Sequence, residues 1–339
     1  MMIAIHNSKI GFTSRWIDYC KTKNINFKLV DCYDSDIVDQ LKDCDALMWH
    51  HWQVNSKDII KAKRLLYALE HSGKVVFPDF YTGWHFDDKI AQKYLLEALQ
   101  LPLVPTYHFI DKEESILWAS SVIFPKVFKL TKGAGSANVR LVKTKAEAIK
   151  LINTAFSNGF NVFDRFGVIR ERWRLFREKK ESFWGVLKSF YRVFNIPKYA
   201  KLLPNERYEI CFQDYIPNNQ SDIRVIILDG KAFAIKRLVR DNDFRASGSG
   251  RILYEKFHFD VDLIKKSFEY AQILKAQVVA FDYVFNEINE PLIVEISYGY
   301  AIGGYDNCEG YWDENLNFFE GKFDSCQWMV DLVIKKIRT

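Results

Sequence analysis

Residues 281–297 read FDYVFNEINEPLIVEIS. An aromatic and aliphatic run through Phe285 and a second run from Leu292 to Ile296 flank the polar turn Asn286–Pro291, the pattern of a β-hairpin. Each run carries one acid, Asp282 or Glu295, where a buried strand ordinarily carries none. A carboxylate among apolar neighbours is costly unless a cation meets it. Two of them on paired strands form a hard oxygen site of the kind Mg²⁺ accepts, which takes one or two carboxylates and completes its shell with phosphate oxygens. A surface hairpin with two solvated acids is the other reading, and the rest of the chain must decide between them.

The 339 residues are enough for two or three lobes, with 48% hydrophobic and 27% charged residues as in an ordinary folded protein. No apolar run approaches the length of a membrane span, and the N-terminus lacks a signal-peptide layout, so a cytoplasmic location is expected. Six scattered cysteines with no CxxC pair read as reduced thiols and argue against a zinc site or a disulfide framework. The net charge of +5 is concentrated: residues 165–201 hold eleven Lys and Arg against three Glu, a local +8, so the remainder is slightly acidic.

Upstream, short strands at 3–5, 27–30, 46–49 and 75–77 alternate with helices at 13–22, 34–41 and 56–71. That alternation predicts a small doubly wound parallel sheet, the first helix capped by Thr13 or Ser14. Ligands collect beyond strand C-termini in such sheets, which makes the loops at His6–Arg15 and at His50, His51 and Trp52 candidate contacts. They read equally well as packing residues. No GxGxxG follows the first strand, so dinucleotide binding has no support.

Next, Asp87 or Asp88 caps a helix that carries Lys89 in its first turn, where a cation gains only if an anion is close. FPKVFKLTKGAGSANVRLV (124–142) reads as strand, glycine-rich loop, strand, with small residues whose backbone N–H groups can approach phosphate oxygens. From 173 to 194, Trp, Phe, Leu and Tyr recur at helical steps among Arg and Lys, an amphipathic segment ended by Pro197. Its aromatic stripe either packs on the fold or makes 170–195 a candidate for peripheral contact with the anionic inner face of a membrane. Charge confined to one helix, with no base-stacking sheet motif, argues against nucleic acid. Asp229-Gly230 marks a two-residue hairpin turn inside DIRVIILDGKAFAIKRLVR (222–240), and FRASGSGRI (244–252) adds a second Gly/Ser-rich loop.

Taken in order, the small α/β lobe, the DK helix, PKVFK with its glycine-rich loop, QDYI (213–216), DIRV (222–225), FR (244–245) and the acidic hairpin resemble the ATP-grasp superfamily, in particular the ribosomal-protein glutamate ligase and glutathione synthetase branch. The resemblance spans about 78–297. It implies an α/β fold of the ATP-grasp kind: a pre-grasp lobe (1–77), a central subdomain (78–212) with a basic aromatic insert at about 160–203, and a second subdomain with a C-terminal extension (213–339), the last two sandwiching ATP. By position, Lys89 and Lys129 would hold the phosphates, with the loop containing Gly133, Gly135 and Ser136 closing over them. Gln213, Asp214 and Ile216 would form the hinge at adenine, with Gln220 near the ribose. Arg224, Lys236 and Arg245 would face the transferred phosphoryl group. Asp282, Glu295 and Ser297 would hold Mg²⁺, or Mn²⁺ in its place. Ser297 is a departure, since the family usually has Asn there, and a hydroxyl is the weaker ligand.

The chemistry implied is ATP-dependent joining of a carboxylate to an amine through an acyl phosphate. Tyr298, Tyr300, Tyr305 and Trp312 either wall an acceptor pocket, one suited to a saccharide or peptide, or form a packed C-terminal wrap. Attachment of an amino acid to a cell-surface polysaccharide precursor would suit the first reading. A kinase acting on a hydroxyl is the alternative activity.

Overall fold

The computed structural model describes residues 1–52, 55–131, 139–161, 205–240 and 243–339. The glycine-rich loop and the basic aromatic segment fall outside these residues. Among the described residues no helix is long and apolar enough to cross a membrane.

The first lobe is a parallel sheet of β1 (Ile3–His6), β2 (Phe27–Val30), β3 (Ala46–Met48) and β4 (Val75–Phe77) in the order β2-β1-β3-β4. β1 is buried along its whole length, as befits a parallel strand covered on both faces. Helix Ser56–His71 lies over one face, with Asn55 capping its first turn. Helix Thr13–Thr22 covers the other, and it begins after Phe12 with no side-chain cap, so neither Thr13 nor Ser14 has the capping role expected. The expected helix at 34–41 shortens to Ile37–Gln40. The chain's last helix, Ser325–Arg338, returns to this lobe beside Thr13–Thr22, held by Tyr19 donating to Asp331 at 2.9 Å and Lys336 to Asp79 at 2.9 Å.

A second, antiparallel sheet has the order β5-β8-β6-β7, from β5 (Thr106–Phe109), β6 (Lys126–Lys129), β7 (Arg140–Val142) and β8 (Ile210–Asp214). Helices Lys112–Ser121 and Lys145–Ala155 close its core around Phe128 and Phe212.

The third sheet has β9 (Ser221–Leu228), β10 (Lys231–Leu238), β11 (Ile252–Leu253), β12 (Val278–Phe285), β13 (Pro291–Ser297), β14 (Gly310–Asp313) and β15 (Phe318–Glu320). Its order is β13-β12-β9-β10-β14-β15, with β11 on β10. The β9–β10 turn is built on Asp229 and Gly230, both at positive φ, as a two-residue turn matching strand twist requires. Helix Val261–Leu274 packs on one face. So does helix Lys89–Ala98, where Leu96 joins that core and Gln92 accepts the Ile296 N–H. That helix therefore packs on the third sheet.

The opposite face of this sheet changes character along each strand. Leu228 and Ile226 give way to Arg224 and Asp222, Phe233 and Ile235 to Arg237, and Val278 and Ala280 to Asp282. The apolar ends pack against the first lobe and the last helix. The charged ends are left over a gap facing the second sheet.

Candidate active site

That gap is a cleft of ≈ 470 Å³. The second sheet contributes Val127, Lys129 and the end of β8 with its following turn, Gln213, Asp214, Tyr215 and Ile216. The third sheet contributes its charged ends, and Trp52 of the first lobe reaches in together with Phe86, which packs against that lobe.

Asp282 and Glu295 are register partners on β12 and β13. The register shifts beside them: Tyr283 pairs with Ile293, leaving Val294 as an extra residue. In an unbroken strand Glu295 would share the face of Ile293, which is fully buried in the opposite core. The bulge turns Glu295 over, so that Val294, Glu295 and Ser297 all line the cleft while Ile293 and Ile296 stay in the core.

The cations surround this pair. Lys89 Nζ lies 3.6 Å from Glu295 Oε1. Burial opposes its charge, yet Glu295 and then Asp87 raise its pKa above the ordinary lysine value. Lys129 donates to Gln213 Oε1 at 2.6 Å, and burial lowers its pKa. Gln213 is fixed in turn by donating to Thr106 Oγ1 at 3.0 Å, and Lys126 donates to Asp214 at 2.5 Å. Arg224 grips Asp282 with both ends of its fork, at 2.5 and 2.6 Å. Arg237 bonds Asp222 at 2.7 and 2.6 Å and reaches Asp282 Oδ1 at 3.0 Å. Burial would push Asp282 up, but Arg224 and Arg237 together hold it well below the usual carboxylate range.

Two expected positions are corrected. Lys236 does not line the cleft; Arg237 does, because side chains alternate along β10 and Lys236 shares the face of Ala232 and Ala234. The signal was present in the sequence: a two-residue turn at 229–230 fixes Asp222 opposite Arg237. Gln220 is exposed, and Asn219 lines the cleft instead, its amide clamped to the Phe285 backbone at 2.9 Å in both directions. Arg245 lines the cleft, paired with Asp243 at 2.5 Å. Gly133, Gly135 and Ser136 lie outside the described residues. Of the four C-terminal aromatics Tyr300 lines the cleft and Tyr305 stands behind it, bonded to Arg224; Tyr298 and Trp312 are packed in cores, as a C-terminal wrap.

Asp87 is the residue that sequence reasoning passed over. Asp88 does the capping, its carboxylate accepting from the Ile90 and Ala91 N–H groups at 3.1 and 3.0 Å. Asp87 adopts φ +53° and points into the cleft, where burial first and Glu295 second push its carboxyl up to about 7.

The first-lobe loops also meet. His50 Nδ1 accepts the Phe12 N–H at 3.0 Å, joining the loops after β1 and β3, and Trp52 extends from the second to the cleft wall. These two strands adjoin where the strand order reverses.

Residues 196–308 match the family described as the RimK-like ATP-grasp domain. The chain superposes along its length on D-alanine–D-alanine ligase from Bacillus anthracis complexed with ATP, at 14% identity and TM-score 0.57, covering 100% of this chain and 97% of that one. A RimK domain ATP-grasp protein from Sphaerobacter thermophilus gives 14% identity and TM-score 0.56 over 98% and 100%. The ATP-grasp ligase PsnB, complexed with a minimal precursor, Mg and ADP, gives 11% and 0.56 over 100% and 98%. No curated protein matches.

The fold is ATP-grasp.

For a metal, this ATP-grasp cleft offers the right donors. Asp282 and Glu295 are neighbouring carboxylates, enough for a hard cation that also takes phosphate oxygens. Both Asp282 oxygens now carry guanidinium bonds, so a metal would exchange with Arg224. Ser297 Oγ donates to Gly299 O at 2.9 Å and is the weakest of the three expected ligands. Among the described residues there is no group of three or more His, Cys, Asp and Glu side chains fit to hold an ion without the nucleotide.

Proposed function

We propose that this chain is an ATP-dependent ligase that joins a carboxylate to an amine through an acyl phosphate, with ADP and phosphate as the other products. The observation that carries this reading is the convergence of Lys89, Lys129, Arg224 and Arg245 with Asp282 and Glu295 on one cleft between the second and third sheets. Phosphoryl transfer asks a protein chiefly to position the reactants and neutralise charge, and that is what this set of side chains can do.

Lys89 and Lys129 would hold the triphosphate, with the base against Gln213–Ile216 and the ribose near Asn219. Asp282 and Glu295 would hold Mg²⁺, which supplies neutralisation of phosphate oxygens. Arg224 would then leave Asp282 and turn to the transferred group, joined by Arg245. Nucleotide and peptide ligands named for the neighbours, ATP for the D-alanine–D-alanine ligase and a precursor peptide for PsnB, accord with this reading. Burial of Tyr298, Tyr305 and Trp312 removes most of the aromatic platform on which a saccharide acceptor was expected. A small or peptide-like acceptor is the better fit.

The test is ADP release in the presence of a carboxylate panel, with hydroxylamine added to trap the acyl phosphate as a hydroxamate. Carboxylate-dependent ADP with hydroxamate supports the ligase. ADP release with a hydroxyl acceptor and no hydroxamate would make it a kinase.

A further inference from the structure

The cleft contains a carboxylate that the nucleotide chemistry does not use. Asp87 is only 4% exposed and lines the cleft, and no hydrogen bond to its carboxylate is found among the described residues. Its neighbour Asp88 has taken over the helix cap, and Asp87 itself has a left-handed backbone. Such a backbone is uncommon for residues other than glycine, though Asp and Asn adopt it most readily.

The charges that face Asp87 are Glu295, Lys89, Lys63 and Arg224. Lys63 is already donating to the Trp84 and Phe86 carbonyls, at 2.6 and 3.3 Å. On the ligase reading, Lys89 turns to the triphosphate and Arg224 to the transferred group. Glu295 is then matched by the metal, and Asp87 is left as a buried carboxyl without a partner, which a bound cation would hold in its ionised form.

Its surroundings favour an organic cation over a second metal. Trp52, Phe86 and Tyr300 line the cleft with it, and a hard metal ion takes oxygen ligands, whereas an alkylammonium is also attracted to aromatic faces. Gly299 lets the backbone lie directly against the Phe86 ring, since a Cβ there would come within 3.1 Å of it.

We infer that Asp87, in the cleft that Trp52, Phe86 and Tyr300 also line, is the anchor for the ammonium group of the amine substrate. This rests on the ligase reading, and it narrows the nucleophile to an amine that enters as a cation on the first-lobe side of the cleft. Asp87 is thereby a substrate-binding residue, distinct from the metal carboxylates.

The test uses the full chain loaded with Mg²⁺ and a non-hydrolysable ATP analogue, probed by saturation-transfer NMR with n-butylammonium and its uncharged partner n-butanol. A charge-assisted hydrogen bond predicts that the ammonium binds about tenfold more tightly than the alcohol. Asp87→Asn keeps a residue that tolerates the left-handed backbone, and it should abolish that preference while leaving analogue affinity unchanged. Equal binding of the two probes to the parent chain, or an undiminished ammonium preference in Asp87→Asn, overturns the inference. Loss of Mn²⁺ affinity in Asp87→Asn overturns it too, by making Asp87 a metal ligand. Failure of the analogue to bind the parent chain would instead bring down the ligase reading.

Discussion

Asp282 and Glu295 stand opposite each other on β12 and β13, and they face the same cleft only because Val294 is bulged out between Glu295 and Ile293. Glu295→Gln keeps the shape and removes the charge that faces Lys89 and a metal. ADP production should fall about a hundredfold or more, the scale of a lost electrostatic stabiliser, while ATP affinity changes little. Equal losses in turnover and affinity would show that Glu295 serves binding alone.

Lys129 reaches the cleft from the second sheet, with its ammonium on Gln213. Lys129→Met should weaken ATP binding by about ten- to a hundredfold, the worth of one charged hydrogen bond, with the circular dichroism spectrum unchanged. Unaltered nucleotide affinity by calorimetry would remove the phosphate site from this position.

Lys236 and Arg237 are adjacent in sequence but sit on opposite faces of β10. Arg237→Ala leaves Asp222 and Asp282 short of a buried partner and should cost about 3–5 kcal/mol of stability in urea unfolding. Lys236→Ala should cost under about 1 kcal/mol and leave turnover near that of the parent. The reverse ranking would mean that the strand presents its other face.

His51 and His85 are buried near Lys63; burial, then that charge, lowers their pKa values from 6.5 to about 3 and about 4. The unfolded chain therefore takes up protons below pH 6.5 that the folded chain refuses, and stability falls as pH drops through that window. Each ring contributes a slope of about 1.4 kcal/mol per pH unit. Asp87 acts in the opposite sense, keeping a proton up to about pH 7 that the unfolded chain has already shed. Comparing His51→Phe with the parent cancels that term, and the variant should show a pH slope shallower by one proton. Parallel slopes would mean that His51 titrates normally in the folded protein.

Much of the architecture was legible because its signals are local. Alternating strands and helices gave the parallel lobe, with Ser56–His71 and Phe27–Val30 placed to the residue. Asp229-Gly230 gave the β9–β10 hairpin, since few other residue pairs adopt two consecutive positive φ angles. The acids of 281–297 marked the cleft because a charge in an apolar strand demands a partner.

Facing and partnership were settled by contacts distant in sequence. Alternation puts Lys236 and Arg237 on opposite faces, but which face is the cleft depends on where the second sheet packs. The Val294 bulge leaves no mark in a run of aliphatic residues, yet it decides whether Glu295 meets Asp282 or is lost in the opposite core. DDK at 87–89 reads as a cap and a cation; only the fold separates Asp88, bonded to its own helix, from Asp87, which lines the cleft near Glu295. The short-range pattern chose the elements, through side-chain period and backbone preference. Burial and long-range charge, which exist only once the sheets have packed, chose which side chains share the site.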